Sequence, residues 1–351
     1  MKKNRTILVT GSQGFIGSYI CNELLSSGYS VIGVDNYSKY GKVKRAHDSH
    51  SEFRLVEMDC SDDFFSTSFI SGKEKDTKID FIIAGAAMIG GISYFHKFAY
   101  DLIATNERII ANTFDMAIDR FKKKELSRII VVSSSMVFEN ANMWPTPEGH
   151  QLVCPPPSST YGFQKLACEY FVKGAFEQYS LPYTIVRPFN CIGVGEDKSM
   201  KEEEVLSGNV KLMMSHVVPD LINKCLLGQD PLHILGDGNQ IRHYTNGKDI
   251  AKAIRVILES ESALNEDFNV STPVSTTVLQ LAEMIWKKIN SNKPFRWVSD
   301  PPFEHDVQKR IPDTAKAKKV LNFEAKTTLS ESLDEVIGWM KQNRGIIHEK
   351  N

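Results

Sequence analysis

The sequence has no cysteine pair at metal-binding or redox spacing. Its six cysteines, Cys21, Cys60, Cys154, Cys168, Cys191 and Cys225, are scattered, and none forms Cys-x-x-Cys. That excludes a zinc ribbon and a redox dithiol and leaves buried thiols in a reducing compartment. The nine histidines include no His-x-His and no His-Glu-x-x-His, so no metal site is expected. A basic block is missing too. The 42 Lys and Arg are balanced by 43 Asp and Glu, a net charge of −1, which argues against a nucleic-acid partner. Long apolar runs are absent. The stretch 79–92 is interrupted by Asp80 and three glycines and is too short to cross a bilayer. Residues 1–5 run straight into a strand-like segment without the pattern of a signal peptide, so the expected location is cytosolic. No internal repeat and no low-complexity tract is visible.

What is present is an ordinary globular composition, 42% apolar and 24% charged, in 351 residues, enough for two domains or one domain with a large appendage. The first half alternates. Apolar, β-branched runs at 7–9, 31–34, 81–83, 129–132 and 183–186 are separated by helix-period segments at about 15–27, 99–121 and 158–179. Near-continuous apolar strands alternating with helices predict a doubly wound parallel sheet of Rossmann type, covered on both faces. After Pro188 the pattern loosens. Residues 196–209 read as a polar surface loop or lid. Helices are expected near 215–227, 249–258 and 277–289, and a short strand at 232–235. Leu329, Leu333, Val336, Ile337 and Met340 recur at helical spacing in the tail. The predicted organisation is a dinucleotide-binding domain over 1–187 and a smaller substrate-binding α/β domain over 188–351, some of whose segments return to the first.

The first strand runs into Thr10-Gly11-Ser12-Gln13-Gly14-Phe15-Ile16-Gly17. Gly11, Gly14 and Gly17, with Phe15 and Ile16 between the last two, let the backbone approach a pyrophosphate at a helix N-terminus. There the free N–H groups and the helix dipole favour an anion. The spacing is Gly-x-x-Gly-x-x-Gly. A glycine triplet alone is weak; one that follows a strand, opens a helix and precedes an acid at the end of the next strand is strong. That acid is Asp35, followed by Asn36. A carboxylate there accepts from both ribose hydroxyls and repels a 2′-phosphate, which favours NAD over NADP, although Lys39, Lys42, Lys44 and Arg45 lie close in sequence. Asp59, after the third strand region, is a candidate acceptor from the adenine amine.

Ser133-Ser134-Ser135 follow the run at 129–132, at the carboxyl end where open α/β sheets place ligands. Tyr161 and Lys165 stand four apart on a predicted helix and share a face. Phenols titrate near about 10, too high for a base at neutral pH. A neighbouring ammonium and a cationic nicotinamide stabilise the phenolate and lower that value. Tyr-x-x-x-Lys by itself is a common helical spacing; the ordered set of glycine turn, Asp35, serine strand end, Tyr161 and Lys165 is far more specific.

This set resembles the nucleotide-diphosphate-sugar epimerases and dehydratases of the extended short-chain dehydrogenase/reductase family, over nearly the whole chain. The segments that carry the resemblance are TGSQGFIG, VVSSSMVFE, YGFQK, RPFNCIGVG and LGDGNQIRHY followed by Asp249. The resemblance implies a tightly held NAD, with Tyr161 as base, Lys165 as its partner and ribose ligand, and Ser134 bonded to the reacting sugar hydroxyl. It places Ala86 and Asn106 beside the cofactor. It gives Asn190, Arg242 and Arg310 to the sugar and diphosphate, and Met88, Gly90 and Ser135 to the sugar pocket; Met88-Ile89-Gly90-Gly91 resembles the sugar-facing loop of the 3,5-epimerases. A homodimer through the helices at about 99–121 and 158–179 is implied as well. Phe138-Glu139 stand where the family has Tyr-Gly.

The expected activity is epimerisation at C4 through a transient 4-keto sugar, with no net redox change. A 4,6-dehydratase, a 3,5-epimerase, a reductase or a silent dinucleotide sensor remains open on the same scaffold. Met136 bears on the choice. In the resembling dehydratases the position two after the catalytic Ser or Thr is a glutamate, and in the resembling 3,5-epimerases a cysteine. A thioether can neither give nor take a proton at C3 or C5. Cys191, His96 and Glu139 are the nearest substitutes.

Overall fold

A computed structural model of the chain describes residues 5–89, 98–196, 205–207, 210–212, 216–302 and 307–348. Seven strands form one sheet: β1 (Thr6–Thr10), β2 (Ser30–Asp35), β3 (Phe53–Glu57), β4 (Phe81–Ala84), β5 (Arg128–Val132), β6 (Tyr183–Pro188) and β7 (Glu266–Val270). Their order is β7-β6-β5-β4-β1-β2-β3, and every pairing is parallel. The order reverses between β1 and β4, the crevice in which doubly wound sheets bind ligands.

Because side chains alternate across a strand, each apolar run serves two cores. Ile7, Val9, Val31, Ile83, Ile130, Val132 and Phe268 face one side, packed by α1 (Phe15–Ser26). Leu8, Ile32, Val34, Ile82, Ile129, Val131 and Ile185 face the other. That side is covered by α2 (Asp63–Ile70), α3 (Ala99–Lys122) and α4 (Thr160–Tyr179). A separate core joins α5 (Val217–Leu226), α7 (Val278–Ile289) and α9 (Leu329–His348) to the parallel pair Leu232–Leu235 and Trp297–Asp300. The tail residues Leu333, Val336, Ile337 and Met340 lie in it. From the second half, α6 (Gly247–Glu259), whose Ile250, Ile254 and Ile257 pack there, and β7 join the first core. The short helix α8 (Ala315–Leu321) adds Ala317 and Leu321 to the same core.

Of the segment 196–209, residues 205–207 pair antiparallel with 210–212. No helix among the described residues is long and apolar enough to cross a membrane.

Candidate functional site

The glycine turn is built by close approach. Gly11 sits at φ +76°, and a Cβ there would stand 3.0 Å from the Ala86 Cα and N. A Cβ on Gly17 would lie 1.9 Å from the Gly11 carbonyl oxygen, so only hydrogen fits. Gly14 caps α1 in extended conformation and no side chain closes the helix end. The first amides of α1 therefore keep their capacity for an anion. Phe15 is buried against Tyr19 and Ile16 is half-buried at the helix start. The Thr10 hydroxyl accepts from the Gly85 and Ala86 amides at 3.1 Å each, which ties the ends of β1 and β4 together beside the turn. These features fit a dinucleotide pyrophosphate.

Asp35 closes the far side. Its carboxylate accepts from the Gln13 amide at 2.9 Å and the Tyr37 amide at 2.8 Å, and burial pushes its carboxyl up from the ordinary range. Asn36 donates to Asp59 at 2.8 Å, while Asp59 also accepts from the Ser61 amide and hydroxyl. Three of the neighbouring cations have partners of their own, although the charge of Arg45 still acts on Asp35. Lys42 pairs with Glu57, Lys39 lies over the Tyr40 ring, and Arg45 donates to the carbonyls of Gln13 and Gly195. Asn106, 1% exposed, accepts from the Met88 amide at 2.7 Å and donates to the Met88 carbonyl at 2.9 Å. It thereby fixes the backbone that follows β4. Gly90 and His96 lie outside the described residues.

Ser134 lies two residues past the end of β5, and its hydroxyl accepts from the Met136 amide at 3.2 Å, capping the turn Ser135–Phe138. Ser135 is buried in that turn. Tyr161 and Lys165 stand one turn apart near the start of α4, and Lys165 donates to the Val132 carbonyl at 3.0 Å. Tyr161 is buried against Met136 and Leu102, with Ile89 and Val307 alongside. Glu139 accepts from the amide and hydroxyl of Ser159 at 3.0 and 2.8 Å, while Ser159 caps α4. It holds the start of the helix that presents Tyr161, and burial pushes the Cys191 thiol far up.

Behind these residues is a buried polar chain that sequence reasoning did not identify. Ser133 donates to Glu169 at 2.7 Å; Glu169 pairs with Arg187, which also pairs with Asp267. Burial alone would lower the Arg187 pKa, but the two carboxylates outweigh it and hold the guanidinium charged. The available signal was the spacing 161, 165, 169, one stripe on a helix.

At the other end, Asn190 takes φ +36° and its side-chain oxygen accepts from Arg310 at 3.3 Å. Its Nδ2 is buried with no hydrogen-bond partner among the described residues, an orphan donor beside Arg310. Arg242 donates to the carbonyls of Ile241 and Gln308. The Ile241 amide donates to the Gln308 carbonyl and the Arg310 amide to the Ile241 carbonyl, so both arginines come from adjoining backbones. Beside them a cavity of about 450 Å³ is lined by Glu139, Asn140, Trp144, Val307, Gln308 and Lys309. Val307 joins that cavity to the packing around Tyr161.

Residues 7–271 match the pattern of the NAD dependent epimerase/dehydratase family. UDP-glucose 4-epimerase of Bacillus subtilis is 26% identical over 360 residues, covering 96% of this chain and 97% of that protein. UDP-glucuronic acid decarboxylase 1 of Danio rerio is 24% identical, covering 100% of this chain and 75% of that one. The crystal structure of UDP-glucose 4-epimerase from Thermotoga maritima with UDP-glucose superimposes with a TM-score of 0.79 at 28% identity, over 97% of this chain and 99% of that chain.

Proposed function

This chain belongs to the NAD dependent epimerase/dehydratase family, and on that footing we propose that it is an epimerase of a nucleotide-diphosphate sugar acting at C4. The observation that carries the reading is the packing of Tyr161 against Met136. One proton acceptor faces the reacting position, and the residue beside it is a thioether with no proton to exchange. The second acid or base that a dehydratase or a 3,5-epimerase needs is missing from that position. Glu139 is held at the start of α4, where one of its oxygens accepts from the Ser159 amide and hydroxyl, and it is the first alternative acid or base to mutate.

NAD, when bound, supplies the hydride acceptor and donor. In this reading Tyr161 takes the proton of the C4 hydroxyl, and the ammonium of Lys165 stabilises the phenolate that does so. Ser134 orients the hydroxyl. Gly11, Gly14 and Gly17 hold the cofactor pyrophosphate, Asp35 its adenosine ribose and Asp59 the adenine edge. Arg242 and Arg310 meet the sugar-nucleotide diphosphate, where guanidinium groups bind bidentately. Asn190 offers its unmatched amide beside them. Met88 and Ser135 border the sugar.

We also infer a homodimer through α3 and α4. Phe163 and Tyr170, 48% and 59% exposed, border an apolar hollow on α4 with Phe171 and Leu166. Exposed aromatics in one patch mark an association surface more often than isolated ones do.

The test is a screen of the purified protein, with no cofactor added, against UDP-glucose, UDP-galactose, UDP-N-acetylglucosamine and UDP-glucuronate. The reading expects interconversion of one C4 pair. Activity strictly dependent on stoichiometric added NAD(P)H would make the enzyme a reductase or dehydrogenase instead.

A further inference from the structure

We propose that Ser133, Glu169 and Arg187 form a buried positioning chain for this reaction, acting through Ser134. The inference rests on the reading of Ser134 as the residue that orients the sugar hydroxyl.

The strand end that carries Ser134 is pinned to the catalytic helix at two successive points. Lys165 donates to the carbonyl of Val132 at 3.0 Å, and Glu169, one turn further along α4, accepts from the Ser133 hydroxyl at 2.7 Å. The Ser133 amide also donates to the Val186 carbonyl at 2.8 Å, one residue before Arg187. Side chains alternate along an extended strand. Ser134 follows in extended conformation, so fixing the Ser133 side chain on α4 fixes the backbone from which Ser134 projects.

Glu169 is fully used. One oxygen accepts from Ser133 and from Arg187 Nε at 2.7 Å; the other accepts from Arg187 Nη2 at 2.8 Å and from Gln151 at 3.2 Å. That fills about the four acceptor positions a carboxylate offers. Glu169 and Arg187 are 1% and 0% exposed, so no water competes for these bonds. Arg187 reaches the other side of Ser134 as well. Its guanidinium lies 5.5 Å from the centre of the Phe138 ring, in the turn that follows Ser134, and Phe138 stacks on Phe189, next to Asn190. The chain thus touches the residue before Ser134, the turn after it, the helix of Tyr161 and Lys165, and the segment of Asn190. None of its members reaches the substrate; each sets the direction of a residue that does.

Removing either ion would leave an uncompensated buried charge and confuse positioning with unfolding. The test therefore leaves the pair intact and removes only the Ser133 hydroxyl. Ser133→Ala, Ser134→Ala, the double variant and Ser133→Thr are assayed on the sugar among the four UDP-sugars that turns over fastest, with Tm and bound NAD measured alongside. The expected result for Ser133→Ala is a kcat about tenfold lower, with KM, Tm and bound NAD close to those of the parent. Ser133→Thr, which keeps the donor, recovers most of the lost kcat. In the Ser134→Ala background the further loss from Ser133→Ala shrinks to less than twofold, because a residue acting only through Ser134 has nothing left to act on. Equal losses in the two backgrounds, or a Ser133→Ala enzyme with unchanged kcat, overturn the inference while leaving the role of Ser134 standing. An unchanged kcat in Ser134→Ala overturns that role and this inference together.

Discussion

At the residue scale the site is a small set of polar atoms held in place by neighbours that are almost all backbone. Tyr161→Phe keeps the ring that packs on Leu102 and Met136 and removes the proton acceptor. Positioned acid–base catalysis is worth about 10²–10⁴-fold, so kcat falls by that amount while Tm holds. A Phe variant with near-normal turnover moves the base elsewhere. Asp35→Ala separates ribose binding from backbone support. Its carboxylate accepts from two amides and, in the proposed role, repels a 2′-phosphate, so that role expects the variant to weaken NAD more than NADP in equilibrium titration. Equal loss for both cofactors assigns Asp35 to the turn alone. The residues of the proposed site were chosen from sequence on their spacing alone: three glycines at a strand end, an acid one strand later, a phenol and an ammonium one turn apart. Glu169 and Arg187 were not, because a buried pair drawn from α4 and β6 leaves no local pattern. It exists only once the sheet brings the two together.

At the element scale, the central strands were legible from continuous apolar runs, whereas of the edge strands β3 was marked only as the region before Asp59 and β7 was missed. In β3 only Val56 is buried, and β7 begins with Glu266 and Asp267, which are held by Lys316. An edge strand needs fewer apolar residues because one side meets solvent. Just before β3, His47 is buried against the Phe53 ring, 4.5 Å between centroids, and its imidazole is pushed down from 6.5 to about 4, chiefly by burial. The folded chain then binds this proton less well than the unfolded chain does between those two values. Stability from this group is fully present above pH 6.5 and is lost as the pH falls toward about 4. The whole effect is on the order of 3 kcal/mol, from about 1.4 kcal/mol per pH unit. His47→Phe keeps a ring and cannot take the proton. Denaturant unfolding at pH 7 and pH 4.5 should therefore show a smaller acid loss in the variant than in the parent. Identical losses would place the acid sensitivity in other groups.

At the scale of the whole molecule, two cores flank the sheet, a third lies apart in the second half, and the chain returns to its first core after leaving it, through α6, β7 and α8. The apolar patch on α4 gives an expectation for assembly. Analytical ultracentrifugation of the parent should show a dimer, and Phe163→Glu with Tyr170→Glu should shift it to monomer with little change in Tm; a monomeric parent removes the dimer. The central claim is that the cofactor cycle acts at C4 and that no proton is exchanged at any other carbon. Its most direct test is turnover of a UDP-sugar in D₂O by protein as purified, with no cofactor added, followed by NMR of the recovered sugar. The account expects inversion at C4 with no deuterium at C3 or C5 and no 4-keto-6-deoxy product. Solvent deuterium at either carbon contradicts it.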